Sequence, residues 1–174
     1  MNKTVFILGG CRSGKSRYAI EMAQKASESK NVYIATCIPQ DDEMNSRVAR
    51  HRKERGPDWQ TVEAPVYLPE AIDSLSGEAG IILVDCLTLW LSNLLLENQD
   101  SEFVLDRVQK LTRAARESAC PVILVSNEVG AGIVPENKLA RLYRDLVGST
   151  NQAVADSVDQ VVWVVAGIPV TIKG

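Results

Sequence analysis

Lys3-Thr-Val-Phe-Ile-Leu8, running into Gly9-Gly-Cys-Arg-Ser-Gly-Lys-Ser16, decides the fold of this chain. The second half fits G-x-x-x-x-G-K-[ST], and the first half is the apolar strand that such a loop follows. The glycines let backbone N–H groups close around phosphate oxygens, and the next helix adds the positive end of its dipole. Lys15 is placed to reach the β- and γ-phosphates, and Ser16 to offer a hydroxyl to Mg²⁺. After Ser16, apolar Ala19, Ile20, Ala23 and Ala26 recur at helical spacing, so strand, loop and helix stand in the required order.

Working outward, apolar runs bounded by turn residues alternate with helical patterns. The spacing predicts strands at 3–8, 31–36, 59–63, 80–85, 121–126 and 160–166. It predicts helices at 15–28, 41–55, 68–75, 87–97, 101–118 and 136–156. The strands are nearly uniformly apolar, as in a mostly parallel sheet with helices on both faces, here of P-loop NTPase type. Ala166-Gly-Ile-Pro-Val-Thr-Ile-Lys173 reads as a turn into a short antiparallel C-terminal edge strand. The 174 residues fit a single P-loop nucleotide-binding domain over 1–174. Ligands of such a sheet bind beyond the carboxyl ends of its strands, where the phosphate loop sits.

Composition narrows the function. A net charge of −3 argues against a nucleic-acid partner, which needs a basic face. The longest apolar runs are strand-sized, so no membrane span is expected and neither end reads as a signal peptide. Cys11, Cys37, Cys86 and Cys120 are scattered without a C-x-x-C pair, the usage of reduced thiols in a cytoplasmic protein.

Three further segments carry chemistry. Ile81-Ile-Leu-Val-Asp85 is a buried strand ending on a carboxylate. That carboxylate either caps the helix beginning near Leu87 or holds Mg²⁺. With Lys15 and Ser16 on the neighbouring strand's loop, the metal role is the expectation. His51, the one histidine, lies in a charged helical stretch where Arg47, His51 and Arg55 recur every four residues. It is either a solvated surface side chain or a nucleophile among cations, able to attack an α-phosphorus, and spacing alone does not choose. Ser126-Asn-Glu-Val-Gly-Ala-Gly-Ile-Val-Pro-Glu-Asn137 follows a buried strand, and its Asn127 and Glu128 either meet a ligand or merely shape a loop that caps the next helix. Leu87-Thr-Leu-Trp-Leu-Ser-Asn-Leu-Leu-Leu96 is apolar almost all round, which suits burial against another layer or another subunit.

Taken together, these segments resemble the bifunctional adenosylcobinamide kinase/adenosylcobinamide-phosphate guanylyltransferase family of cobalamin biosynthesis, nearly end to end. The likeness rests on Gly9 to Arg17, Tyr33-Ile-Ala-Thr36, and Asp41-Asp-Glu-Met44 with Arg47 and His51. It continues through Leu83-Val-Asp-Cys-Leu-Thr-Leu-Trp-Leu-Ser-Asn-Leu-Leu95, the Asn127-Glu128 loop, Arg144-Asp145, Gly148, Asn151-Gln152 and Ala166-Gly-Ile-Pro169. The resemblance implies a RecA-like variety of the fold and two reactions. A nucleoside triphosphate, ATP or GTP, phosphorylates the aminopropanol hydroxyl of adenosylcobinamide. GTP and that phosphate then give adenosylcobinamide-GDP and pyrophosphate through a GMP-histidine intermediate.

The resemblance puts the guanylylated histidine at His51, and Lys15 of the phosphate loop is the second expected catalytic residue. It puts nucleotide contacts at Gly9, Gly10, Cys11, Arg12, Ser13, Gly14, Lys15, Ser16, Thr36, Cys37, Arg52, Lys53, Glu54, Arg55, Glu63 and Asp85, with Mg²⁺ on Ser16 and Asp85. It also implies a homotrimer, to which Leu87–Leu96 is the candidate contributor. Two other functions compete: a single-function kinase for a small metabolite, and a nucleotide-dependent switch. The missing N-K-x-D pattern weighs against the switch.

Overall fold

The computed structural model describes residues 4–27, 30–39, 55 and 59–174. The helix expected at 41–55, and His51 with it, falls outside the described residues except at Arg55. Among the described residues the strands are β1 (Thr4–Gly9), β2 (Asn31–Ala35), β3 (Trp59–Glu63), β4 (Ile81–Asp85), β5 (Val122–Asn127), β6 (Gln160–Val165) and β7 (Ile168–Lys173). The helices are α1 (Lys15–Ala26), α2 (Leu68–Leu75), α3 (Leu87–Glu97), α4 (Ser101–Glu117) and α5 (Lys138–Ser157).

The strands form one sheet in the order β3-β2-β4-β5-β1-β6-β7, parallel throughout except for the antiparallel β6–β7 pair. Composition explains which strands are central. β1 and β5 are runs of Val, Ile, Leu and Phe with almost no polar interruption, and both faces are covered. Trp59-Gln-Thr-Val-Glu63 is half polar and takes one edge. β7, exposed along its length and carrying Pro169, takes the other, where a missing N–H is tolerated.

Side chains alternate across the sheet and divide the core in two. Phe6, Leu8, Ile34, Ile82, Val84 and Leu124 face α2, α3, α4 and α5. Val5, Ile7, Leu83, Ile123 and Val125 face the other way, against Ala19, Ile20 and Ala23 of α1. Trp90, Leu91 and Leu94 of the apolar α3 are fully buried in the first layer, so the chain itself covers most of that helix. Leu96, 69% exposed, is the exception. Asp100 and Asn137 cap α4 and α5 by accepting from the amides of Glu102 and Ala140, each at 3.0 Å.

One expectation about the sheet is corrected. Asp85 does not sit on the strand beside the phosphate loop, because β5 lies between β1 and β4. The connection from β1 through α1 to β2 passes over two strands, β5 and β4, and the last residue of β5, Asn127, pairs in register with Gly9. The insertion brings a third polar side chain between phosphate loop and acid.

Candidate active site

The phosphate loop is shaped by backbone contacts that only small residues allow. A Cβ on Gly9 would lie 2.6 Å from both the Val164 carbonyl oxygen and Ser13 Oγ. Gly14 has φ +94°, the left-handed region that L side chains rarely adopt, and its built Cβ would sit 3.3 Å from Gly167 Cα. The Gly167 amide donates to the Ser13 carbonyl at 2.8 Å, so the β6–β7 turn buttresses the loop from behind. Ser13 Oγ is buried without a partner among the described residues. Lys15, only 8% exposed, donates from Nζ to the Gly10 carbonyl at 3.0 Å.

At the carboxyl ends of β1 to β5 lies a cavity of about 280 Å³. Of the residues singled out from sequence, Cys11, Arg12, Lys15, Ser16, Cys37, Arg55, Glu63 and Asp85 line it. Gly9, Gly10, Ser13 and Gly14 build the loop beneath. The Thr36 side chain is taken up by the backbone of β4's end. Its hydroxyl is fully buried, accepts from the Cys86 amide at 2.9 Å and donates to the Cys86 carbonyl at 2.8 Å. It therefore clamps the end of β2 to the end of β4. His51, Arg52, Lys53 and Glu54 lie outside the described residues.

Asp85 ends β4 and does not cap the following helix: the N-cap of α3 is Cys86, which makes no side-chain capping bond. Instead Asp85 Oδ2 accepts from the Tyr33 hydroxyl at 3.2 Å. Burial, and then the nearby Asp85 charge, push the Tyr33 phenol well above its ordinary value, so it is a donor at neutral pH. The Arg55 guanidinium lies over the Tyr33 ring, 3.5 Å from its centroid, and donates to Thr61 Oγ1 at 3.2 Å.

Asn127 is brought to the cavity, where Nδ2 donates to Thr88 Oγ1 at 3.0 Å and Oδ1 is buried without a partner among the described residues. Glu128 turns back on its own loop and accepts from the Gly130 amide. The cap of α5 is Asn137. Tyr143 closes the wall by donating to the Thr88 carbonyl at 3.1 Å, and burial raises its phenol to about 12. Burial, with the Asp85 charge second, raises the Cys86 thiol to about 11, which makes it a packing group and not a nucleophile. Sequence reasoning missed Tyr33 as a site residue, and Thr61, Thr88 and Tyr143 altogether. Thr88 three residues after Asp85 was the only local signal.

The donor set suits a hard divalent ion. Ser16 and Asp85 offer a hydroxyl and a carboxylate at one cavity. No group of three or more His, Cys, Asp or Glu gathers among the described residues. An ion held there would need further ligands from phosphate or water, as is usual for Mg²⁺ with nucleotides. Among the described residues no helix is long and apolar enough to cross a membrane.

Residues 5–172 match the model of the family described as cobinamide kinase / cobinamide phosphate guanyltransferase. The chain is 42% identical over 168 residues to the bifunctional adenosylcobalamin biosynthesis protein CobP of Pseudomonas aeruginosa, a match covering 97% of this chain and 96% of that one. It is 38% identical over 181 residues to the bifunctional adenosylcobalamin biosynthesis protein CobU of Escherichia coli, covering 97% and 99%. Among solved structures it is similar to an ATPase domain, with TM-score 0.55 and 12% identity over 93% of this chain and 69% of that one. It is also similar to the RadB recombinase, with TM-score 0.50 and 16% identity over 92% and 73%. At these identities the structural likeness speaks to the P-loop NTPase fold alone.

Proposed function

The chain belongs to the cobinamide kinase / cobinamide phosphate guanyltransferase family, and from that premise we propose that one cavity serves two transfers from a nucleoside triphosphate. In the first, ATP or GTP phosphorylates the aminopropanol hydroxyl of adenosylcobinamide. In the second, GTP gives its GMP moiety to adenosylcobinamide phosphate by way of His51. The observation that carries this proposal is the convergence of Lys15, Ser16, Asp85 and Arg55 on a single cavity. Arg55 follows His51 by four residues, so chain connectivity alone keeps the two Cα atoms within about 14 Å.

In the kinase step the acceptor oxygen forms a bond to the γ-phosphorus as the β–γ anhydride breaks, and the hydroxyl proton leaves to solvent or a nearby base. Lys15 and the amides of the loop hold the phosphates in line and offset the charge that develops. In the guanylyl step a neutral His51 nitrogen bonds to the α-phosphorus as the α–β anhydride breaks, and pyrophosphate departs. A phosphate oxygen of the acceptor then displaces the imidazole, forming the diphosphate and breaking the P–N bond. Arg12 and Arg55 both line the cavity and supply positive charge there, and the Glu63 carboxylate, also in its lining, is an acceptor that would suit guanine N–H groups. A bound Mg²⁺, held by Ser16 and Asp85, would neutralise phosphate charge.

Phosphorylation of adenosylcobinamide and GMP transfer should separate in His51→Ala, which keeps the first and loses the second. Loss of both activities in a folded variant would count against a histidine reserved for guanylyl transfer. The family likeness also supports a cytoplasmic homotrimer. Light scattering on the purified protein should give three times the 19.0 kDa chain mass, and a monomer would refute that assembly.

A further inference from the structure

Tyr33 stands on β2 with Leu83 as its register partner, while Ala35 pairs with Asp85. Tyr33 and Asp85 therefore share one face of the sheet, two residues out of register, and the long phenol spans that diagonal. Its hydroxyl reaches Asp85 Oδ2 at 3.2 Å. Two neighbours pack on the ring. Trp59 packs edge-on, with centroids 6.4 Å apart and planes at 80°. Arg55 covers one ring face at 3.5 Å and is itself only 4% exposed. A side chain that only filled this core would need no hydroxyl, since phenylalanine has the same shape.

We propose that Tyr33 is a positioning residue for both ends of the nucleotide site. Its hydroxyl holds Asp85 so that Oδ1 is presented to the divalent ion, and its ring seats the Arg55 guanidinium at the cavity wall. The proposal rests on the metal-holding role of Asp85 given above. Removing an outer partner of a metal-ligating carboxylate characteristically weakens metal binding by about 10- to 100-fold. Removing the ring face takes away a cation–π contact, about 3- to 30-fold in affinity when the cation meets the ligand.

The test uses the full chain with Mn²⁺ as the metal and β,γ-imido-GTP as a non-hydrolysable nucleotide. Mn²⁺ affinity in the presence of the nucleotide is read by electron paramagnetic resonance, and nucleotide affinity at saturating metal by calorimetry. Tyr33→Phe should weaken Mn²⁺ about 10-fold or more, with its melting temperature within about 4 °C of wild type and nucleotide affinity kept. In an Asp85→Asn background the same change should do nothing to Mn²⁺. Tyr33→Leu should also weaken the nucleotide.

Wild-type Mn²⁺ affinity in Tyr33→Phe, while Asp85→Asn is weakened, would overturn the proposal and leave the metal role of Asp85 standing. An equal loss from Tyr33→Phe with and without the Asp85 carboxylate would overturn it too, by showing that the hydroxyl acts elsewhere. Wild-type nucleotide affinity in Tyr33→Leu would remove the Arg55 half. Unchanged Mn²⁺ affinity in Asp85→Asn alone would instead defeat the metal assignment on which the proposal rests.

Discussion

Lys15 Nζ lies 3.0 Å from the carbonyl oxygen of Gly10, five residues back in the same loop. The ammonium is thereby held over the inside of the loop, on the side that faces the cavity lined by Ser16 and Asp85. One loop must handle the triphosphate in both proposed transfers. Lys15→Ala should therefore lower phosphorylation and GMP transfer alike, each by roughly 10²- to 10³-fold, the usual effect of deleting one charge-stabilising donor. Steady-state rates of the two half-reactions check this, and a variant losing only one of them would show that the steps use different phosphate sites.

Thr36 joins two strand ends through both of its hydroxyl's hydrogen-bonding roles. Thr36→Val keeps the shape but leaves the buried amide and carbonyl of Cys86 without that partner. The variant should lose about 1–3 kcal/mol of stability in urea unfolding. Its activity should fall as well, because Asp85 adjoins the clamped peptide.

Gly9→Ala places a methyl group 2.6 Å from a backbone oxygen of β6, which cannot turn aside. Overpacking of this kind costs about 1–3 kcal/mol, and here it also displaces Ser13 in the phosphate loop. Both the melting temperature and nucleotide affinity should drop, whereas Gly10→Ala, with open space at its Cβ, should leave the melting temperature unchanged.

Much of this molecule was legible because its physics is local. The helices expected at 68–75 and 87–97 are found at those residues, and the strands agree to within a residue or two at each end. Apolar runs of strand length between turn signals admit few other structures. The order of strands was not legible, since nothing in Ile81–Asp85 or Val122–Asn127 says which lies beside β1. That one ambiguity hid Asn127's place between Lys15 and Asp85. Tyr33 was hidden for a related reason. It occupies an inward position of a buried strand, where a core aromatic and a positioning hydroxyl look alike until Asp85 is found across the sheet. The phosphate loop could be read because its chemistry lies within eight consecutive residues.

Alkaline pH should weaken the fold in a way that Cys86 dominates first. Burial raises its thiol from 9.0 to about 11, so the native state holds this proton more tightly than the unfolded chain does. The associated stability is fully present below pH 9 and is lost as pH rises toward 11, a loss of roughly 2–3 kcal/mol. Tyr143, raised from 10.0 to about 12, continues the decline at higher pH. Urea unfolding of Cys86→Ala should show a shallower loss between pH 9 and 11 than wild type. An equally steep loss would assign the decline to other groups.

If His51 carries GMP covalently between two displacements at the cavity lined by Lys15, Ser16, Asp85 and Arg55, the protein itself becomes labelled by GTP. The most direct measurement is to incubate the protein with Mg²⁺ and GTP labelled at the α-phosphate, then separate protein from nucleotide under denaturing conditions. Label should appear on the wild-type protein, labile to acid and stable to alkali as a phosphoramidate is, and be absent from His51→Ala. Active protein that takes up no label, or a His51→Ala variant labelled like wild type, would contradict covalent carriage by His51.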